Sequence, residues 1–377
     1  MFNLINIKMR KILLFVFLIA SFIASCKQSE ESNNTISLSK IDNEIVLANN
    51  KYSAIVDSLE FVPLETTSES LLGNTKQLLV VNSRFYLCDE NAVKCFSENG
   101  DFLFNIGRKG RGHGEYNKIV NICYDCGNIY VFDQSVLYKY NADDGSFIDS
   151  KRLPAPCIQT VVKDGYVYCY DISDGVKLYC YSKDYQKKKI LRSSKKREAT
   201  LLIENPLLSS GNHLLYCDPY RYKVFELVDG KLNDYLSFNL GDDGFSEKQI
   251  RKGIDRNLFD EKASFFGDTF LADDILYFNY SINNTRHYGY INTNNHKAII
   301  LDLKEWLRIA KNVEEQMVAP VASNGYDFYT LMSPQFLIPD SFDNPSSNYS
   351  TYSRLKNVRN DDNIIIVRIH LNPTFLN

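Results

Sequence analysis

A strand-like run that ends in Asp recurs along the chain and constrains the fold more than any other feature of the sequence. The run stands at 85–89, 129–133, 167–171 and 214–218, so that its terminal Asp recurs at intervals of 44, 38 and 47 residues. Related runs follow at 276–280 and 327–331. In the first unit, residues 76–116, Asn, Asp and Gly separate four apolar runs and permit the dihedral angles of tight hairpins. Each unit is therefore predicted to be a four-stranded antiparallel meander.

Six such units account for the body of the chain, and a period of about 40–50 residues with four strands per unit is typical of a propeller blade. Strand-like runs at 52–64 and 364–371 stand at opposite ends. We therefore expect the ring to be closed by N-terminal residues that complete the final blade or pack beside it. The predicted fold is all-β: a six-bladed β-propeller with short helical insertions between late blades. A solenoid is the alternative, and it would leave two uncapped ends.

Three segments lengthen the later units. Residues 245–264 are predicted to be helical, with Ser246 and Gln249 as a capping box. Residues 302–317 show an amphipathic helical pattern. Residues 332–363 form a Ser-, Asn- and Pro-rich insertion within the last unit. Long loops of this kind are either functional or disordered.

The N-terminus has the pattern of a lipoprotein export signal. Basic residues precede an apolar run of 14 residues at 12–25, which is shorter than the roughly 20 residues of a membrane span. The following Ile23-Ala24-Ser25-Cys26 resembles a bacterial lipobox. We predict a signal peptide over 1–25, a lipid on Cys26, a polar tether over 26–50 and the propeller over 51–377. An ordinary signal peptide cut near Ser25 is the alternative.

Charge narrows the range of partners. The formal net charge is −3, and loss of the three basic residues of the signal makes it −6. A mildly acidic body does not attract phosphate backbones in general, so nucleic acid is not expected as a partner. The predicted location is the cell envelope, as an outer-membrane lipoprotein on the periplasmic or the surface side, attached to the membrane through the lipid.

Three stretches carry a resemblance to a known family: FVPLETT at 61–67, GRKGRGHGEY at 107–116 and NDDNIIIVRIHL at 360–371. Residues 55–371 resemble the bacterial six-bladed β-propeller lipoproteins, which are related in outline to NHL-repeat propellers. The family usually has Pro where this chain has His113. The resemblance implies an extracytoplasmic binding or scaffold domain and transfers no catalytic residue.

Two loops could bind a ligand. The Gly-rich loop 107–114 carries Arg108, Arg111 and His113 and could hold an anion on its backbone N–H groups; it lacks P-loop spacing, and a structural turn between blades is the alternative. The second candidate group follows the fourth Asp and comprises Asp218, Tyr220, Arg221 and Tyr222. Its aromatic and Arg side chains could stack on a sugar or peptide, and ordinary packing is the alternative.

The Asp column could also surround the channel and bind Ca²⁺. Because Asp at a strand end often accepts backbone N–H groups, we assign no metal and no cofactor. Eight cysteines follow Cys26, and their positions within apolar strands indicate buried free thiols. The sequence contains neither G-x-S-x-G nor H-E-x-x-H, so no catalytic residue is assigned.

The predicted function is a lipid-anchored module that binds a protein or carbohydrate ligand and has no established reaction. The alternative is an enzyme that acts on a glycan or peptide through channel carboxylates, with or without a divalent metal.

Overall fold

The computed structural model describes residues 35–37 and 56–372, apart from 155–156, 186, 195–205, 219–220, 255–257, 259–260, 266–267, 284, 303–318 and 337–354. The propeller lies within residues 36–377.

The strands, in chain order, are β1 (Thr35–Ser37), β2 (Val56–Pro63), β3 (Gln77–Val81), β4 (Arg84–Cys88), β5 (Val93–Ser97), β6 (Phe102–Asn105), β7 (Arg108–Lys109), β8 (Glu115–Tyr116), β9 (Asn121–Asp125), β10 (Asn128–Asp133), β11 (Val136–Asn141), β12 (Phe147–Arg152), β13 (Gln159–Lys163), β14 (Tyr166–Asp171), β15 (Lys177–Tyr181), β16 (Lys188–Ser193), β17 (Leu207–Ser210), β18 (His213–Asp218), β19 (Lys223–Val228), β20 (Lys231–Asn239), β21 (Ser264–Phe265), β22 (Phe270–Ala272), β23 (Ile275–Ile282), β24 (Thr285–Asn292), β25 (Ala298–Asp302), β26 (Ala322–Ser323), β27 (Phe328–Met332) and β28 (Ile365–Leu371).

Apart from β7 and β8, which form a short parallel pair, these strands lie in six sheets, and the prediction of a six-bladed propeller is confirmed. Blades 1 to 4 are β3–β6, β9–β12, β13–β16 and β17–β20. Blade 5 is β21–β25, and blade 6 combines β26, β27 and β28 with β2. The predicted Asp column follows the second strand of each of the first four blades. Periodicity could locate it because each blade repeats the same hairpin order.

The ring closes as predicted, through a strand that precedes the first blade in the chain, β2. Strand β2 lies at the outer edge of blade 6 and pairs antiparallel with β28, with Phe61 opposite Val367. Asn363, which is 3% exposed, secures the chain that leaves β2. Its amide donates to Glu65 O at 2.7 Å and its Oδ1 accepts the N–H of Leu72 at 2.8 Å. The last blade is thus assembled from both ends of the propeller.

Tyrosine rings fill much of the space between blades, and their hydroxyls bond the neighbouring blade. Tyr86 in blade 1 donates to Ala142 O in blade 2 at 2.9 Å, and Tyr168 in blade 3 accepts the N–H of Gly230 in blade 4 at 2.9 Å. A buried Tyr needs such a partner for its hydroxyl. Tyr86 and Tyr168 therefore serve both packing and inter-blade hydrogen bonding.

The predicted insertions require one correction. The helix predicted over 245–264 is a single short helix, α1 (Glu247–Lys252), and its capping box between Ser246 and Gln249 is confirmed. It ends at Gly253, which adopts φ +95°, a conformation that favours Gly. Most of the amphipathic segment 302–317 and residues 337–354 of the last insertion lie outside the described residues. Among the described helices, none is long and apolar enough to cross a bilayer.

Candidate functional site

The first strand of each blade faces a central channel. A cavity of about 250 Å³ lies along the axis, and a second of about 560 Å³ opens at one end. Both are lined by Leu79, Val80, Ser209 and Ser323, so they form one continuous passage. The larger cavity opens among the turns that join the first two strands of the blades; we call this end the hairpin mouth.

Amide side chains bridge neighbouring blades along the inner strands. Gln77 opens β3 and forms two hydrogen bonds to Ile122 of β9: Nε2 donates to the carbonyl and Oε1 accepts the N–H, each at 2.9 Å. The side chain thereby replaces a backbone partner that the radial arrangement of the sheets cannot supply. We call this contact an amide bridge.

The same bridge recurs around half of the ring. Asn121, the first residue of β9, bonds the carbonyl and N–H of Thr160 at 2.7 and 3.1 Å. Gln159, the first residue of β13, does so with Leu207 at 2.7 and 2.9 Å. Sequence reasoning missed these residues, although Gln77, Asn121 and Gln159 repeat at the spacing of the Asp column.

Polar and aromatic groups line the hairpin mouth. Asn82, Tyr124, Asn212 and Tyr326 come from four different blades and line the 560 Å³ cavity. Tyr326 is 72% exposed, which is unusual for so large an aromatic side chain in this protein. The exposure of Tyr326 could not be predicted from the sequence, because a Tyr beside a turn is common in this chain.

The turn that carries Tyr326 is tightly braced. Oδ1 of Asn324 accepts the N–H of Tyr326 and of Asp327, each at 2.8 Å. The carbonyl of Gly325 accepts the N–H of Asp273 in blade 5 at 2.7 Å. A Cβ on Gly211 of blade 4 would lie 2.8 Å from Cα of Gly325, so these two turns can approach only without side chains. The exposed ring therefore projects from a preorganised backbone.

The Gly-rich loop 107–114 is closed by a carboxylate of its own chain. Glu115 accepts the N–H of Gly112 at 2.7 Å and pairs with Nε of Arg108 at 2.5 Å. The Gly112 N–H, and then Arg108, lower the pKa of the Glu115 carboxyl. A Cβ on Gly110 would lie 2.0 Å from Oε2 of Glu115. An internal anion thus occupies the position considered for a ligand, and the structural alternative is favoured.

The predicted residues of that loop remain at the surface. Arg108, Arg111 and His113 are exposed. His113 packs edge-on against Phe147 of blade 2, with ring centroids 4.7 Å apart. The loop thereby joins blade 1 to blade 2, and ligand binding by these three residues remains a prediction.

The second predicted group includes Asp218 and Arg221, and the structure places Asp218 in the protein interior. Asp218 is 1% exposed and pairs with Arg192 of blade 3, and Arg221 Nη1 lies 3.7 Å from the same carboxylate. Arg221 Nε also lies 3.3 Å from Glu247 of α1. Asp218 is therefore part of an interior ion pair between blades and does not face a ligand.

Tyr222 requires a correction, because it belongs to the core. It is 6% exposed, and its hydroxyl donates to Ala263 O and accepts the N–H of Phe245, each at 2.8 Å. Both hydrogen-bonding roles are used, which leaves none for a surface ligand. Tyr220 and Cys26 lie outside the described residues.

The other Asp residues of the column accept hydrogen bonds from backbone N–H groups of nearby segments. Asp89 accepts the N–H of Gly73 at 2.8 Å and of Ala92 at 2.8 Å, and Asp133 accepts that of Asn117 at 2.7 Å. These bonds fix the connections into and across each blade. Within the described residues, no group of three or more His, Cys, Asp or Glu side chains is arranged to hold a metal ion.

The eight described cysteines are free thiols. Seven are buried, as expected from their positions in apolar strands, and burial raises the pKa of Cys88 to about 12. Cys126 is the exposed one and lies at the hairpin mouth beside Asp125. The proximity of the Asp125 carboxylate raises the pKa of Cys126, which disfavours the nucleophilic thiolate.

A charged cluster connects the three outer strands of blade 6. Arg368 on β28 donates to Glu60 of β2 at 2.9 Å and to the hydroxyl of Tyr329 on β27 at 3.1 Å. Nδ1 of His370 lies 2.9 Å from Asp327. That hydrogen bond raises the pKa of His370. The cluster therefore links three strands of blade 6, including the two whose pairing closes the ring, and Arg368 also lines the hairpin mouth.

Comparison with solved structures supports the fold. A crystal structure of a "putative exported protein" from Bacteroides fragilis matches with a TM-score of 0.68 at 17% identity, covering 90% of this chain and 99% of that one. A luciferin-regenerating enzyme (TM-score 0.43, 9% identity, 83% and 95% covered) and BamB from Moraxella catarrhalis (TM-score 0.37, 10% identity, 63% and 67% covered) are too distant to carry an argument.

A comparison with curated proteins finds no significant match. A family model described as a domain of unknown function, DUF4934, matches residues 34–370, which is nearly the whole chain. The match begins just before β1 and ends within β28, so it includes all six blades. This chain belongs to the DUF4934 family.

Proposed function

We propose that this protein is an extracytoplasmic binding module that takes a carbohydrate or peptide ligand at the hairpin mouth. The observation that carries the proposal is Tyr326, whose ring is 72% exposed on a braced turn beside a 560 Å³ cavity. An exposed aromatic on rigid backbone loses little conformational entropy on binding. Such a side chain suits the contact centre of a recognition surface.

The chemistry of the mouth fits a ligand with both apolar and polar faces. The Tyr326 ring offers a flat apolar surface, while Asn212 and the ammonium group of Lys163 contribute hydrogen-bond donors from neighbouring turns. The face of a sugar or a peptide group can stack on the ring while its hydroxyls or amides bond these groups. The combination of an aromatic ring with nearby hydrogen-bond donors therefore favours a glycan or a peptide over a purely apolar ligand.

Export and lipid attachment complete the proposal. The signal-like residues 1–25, the lipobox-like sequence at Cys26 and the fold shared with an exported protein support a location in the cell envelope, as an outer-membrane lipoprotein of the NHL-like propeller type. Metabolic labelling with a radioactive fatty acid tests this directly. Wild-type protein should be labelled and Cys26→Ser should not; labelling of both would contradict the assignment.

No feature of the described residues specifically favours the enzyme alternative. The channel was expected to offer carboxylates, but Asp89, Asp133 and Asp171 are buried and engaged with nearby N–H or hydroxyl groups. A general acid or base must reach the proton that it transfers. We therefore retain binding as the proposed activity.

Ligand binding can be tested with arrays of bacterial envelope glycans and of peptides. Tyr326→Ala should weaken binding of any ligand found on the array at least tenfold, since a central aromatic contact contributes about 2 kcal/mol or more and about 1.4 kcal/mol is already tenfold. Phe336→Ala is the matched control, because Phe336 is 57% exposed and does not line the mouth. Unchanged binding by Tyr326→Ala, or the absence of any glycan or peptide ligand, would contradict the proposal.

The earlier candidate loop provides a second control in the same assay. Arg108→Glu with Arg111→Glu reverses two exposed charges on the opposite end of the propeller. If the ligand lies at the hairpin mouth, this double variant should bind normally. A selective loss in the double variant would move the site to loop 107–114.

A further inference from the structure

The outer edge of blade 3 is strongly basic in a protein that is acidic as a whole. Between residues 177 and 192 the chain has six Lys or Arg residues and a single acidic residue, Asp184, whereas the net charge of the chain is −3. The charges lie on β16, on the turn that precedes it and, for Lys177, at the start of β15. A local excess of this size creates a positive surface field that the distant acidic residues do not cancel, because the Debye length is about 8–10 Å.

Four of these lysines are exposed and positioned by contacts with uncharged groups. Lys183 lies over the Tyr166 ring at 5.2 Å, Lys188 lies over the Tyr179 ring at 3.6 Å, and Lys189 donates to Gly230 O at 3.3 Å. Within the part of the chain that the structure describes, none of these three or Lys187 has a carboxylate at ion-pair distance. Their charges are therefore available to an external anion.

An exposed aliphatic side chain stands among the lysines. Ile190 is 58% exposed and follows Lys189 in β16. Lys side chains with apolar neighbours are typical of surfaces that lie at a membrane interface, where the apolar group enters the headgroup region and the ammonium groups contact phosphates. We call Lys183, Lys187, Lys188, Lys189 and Ile190 the basic rim.

The position of the basic rim agrees with the proposed lipid on Cys26, on which this part of the argument rests. Lys189 contacts Gly230 of blade 4, so the rim lies beside that blade. Ile36 is buried in the core of blades 4 and 5, together with Leu236. Ile36 follows Cys26 by ten residues, and ten residues span at most about 35 Å. A lipid on Cys26 would thus hold this side of the propeller near the bilayer.

We infer that the basic rim docks on the anionic headgroups of a phospholipid membrane. The lipid would keep the domain at the membrane, and the basic rim would orient it there. Membrane attachment by one anchor together with a polybasic patch is a general physical strategy. The partner is the phosphate-rich surface of the bilayer, and a soluble polyanion is the competing partner that the experiment must exclude.

The test measures vesicle binding without the lipid anchor. The chain from residue 27 to 377, which contains every described strand, is mixed with sedimentable vesicles of phosphatidylcholine alone or of phosphatidylcholine with phosphatidylglycerol, whose anionic headgroups attract polybasic segments. Binding is expected to the anionic vesicles only and to weaken as salt is raised. Lys183→Gln, Lys187→Gln and Lys188→Gln together should reduce it on the order of a hundredfold, since each lysine contributes about fivefold.

The matched control removes three exposed lysines elsewhere, Lys118→Gln, Lys248→Gln and Lys356→Gln, and should bind as wild type. Ile190→Ser should weaken binding severalfold without changing its salt dependence. Equal loss in the control variant, equal binding to neutral vesicles or no binding at all would overturn the inference. Tighter binding to heparin than to anionic vesicles would also overturn it. Because this chain lacks Cys26, none of these outcomes bears on lipid attachment or on the hairpin mouth.

Discussion

Replacing Gln159 with Met tests whether the amide bridges stabilise the ring. The substitution keeps the length of a side chain that is 3% exposed but removes both of its hydrogen bonds to Leu207. The carbonyl and the N–H of Leu207 then lose their partner. Each buried polar group left in this way costs about 1–3 kcal/mol, which sets an upper range of roughly 2–6 kcal/mol for the pair.

The position of Gln159 in the structure lowers the expected loss of stability. Gln159 and Leu207 both line the 250 Å³ axial cavity, so water can reach one or both orphaned groups. We therefore expect the free energy of unfolding to fall by about 2–4 kcal/mol. With a urea m-value of about 3 kcal/mol/M, this lowers the midpoint by about 1 M.

Urea titration followed by far-UV circular dichroism measures the change. The matched control is Gln134→Met, because Gln134 is exposed and its substitution should alter stability by less than about 0.5 kcal/mol. If Gln159→Met and Gln134→Met have the same midpoint and m-value, the amide bridge contributes nothing measurable and our interpretation of the inner strands is wrong.

Two further predictions use the same urea assay. The hydrogen bond that His370 donates to Asp327 raises the pKa of His370, so the stabilisation should be complete below about pH 6.5 and lost as pH rises through the higher folded pKa. The difference in free energy of unfolding between wild type and His370→Gln should therefore narrow from pH 5.5 to pH 8.5, and a constant difference would contradict this prediction. Gly107→Ala and Gly127→Ala both place a side chain at positive φ, at a cost of about 1–2 kcal/mol. Only at position 107 would the added Cβ also lie 2.6 Å from the Tyr140 hydroxyl. Gly107→Ala should therefore lower the free energy of unfolding more than Gly127→Ala, and equal losses would contradict the predicted clash.

Much of the architecture could be predicted because it depends on short-range chemistry. Asn82-Ser83, like the other turn pairs, lies only a few residues from the strands that it joins, and both residues adopt the positive φ that such a turn needs. The Asp column likewise acts on the backbone nearby, as Asp89 does with Ala92. The capping box of α1 spans three residues. Interactions between residues so close in the chain can be predicted from a single sequence.

The candidate site depends on contacts that no local pattern specifies. Tyr222 and Tyr326 each stand beside a turn, yet the first is buried against Ala263 and the second is exposed at the hairpin mouth. Glu115 could not be recognised as the anion of loop 107–114 until the fold of the loop was known. In each case the role of the side chain depends on which other groups the fold places beside it.

The amino-acid sequence by itself determined the number of blades and the order of strands within them, because hydrogen bonding within a hairpin and strand periodicity act between near neighbours. It indicated the closure of the ring in a different way, through the strand-like runs that stand at opposite ends of the chain. Only the tertiary structure decided which side chains bridge the blades and which remain exposed. Gln159 and Leu207 are 48 residues apart, and they meet only because six twisted sheets pack around one axis.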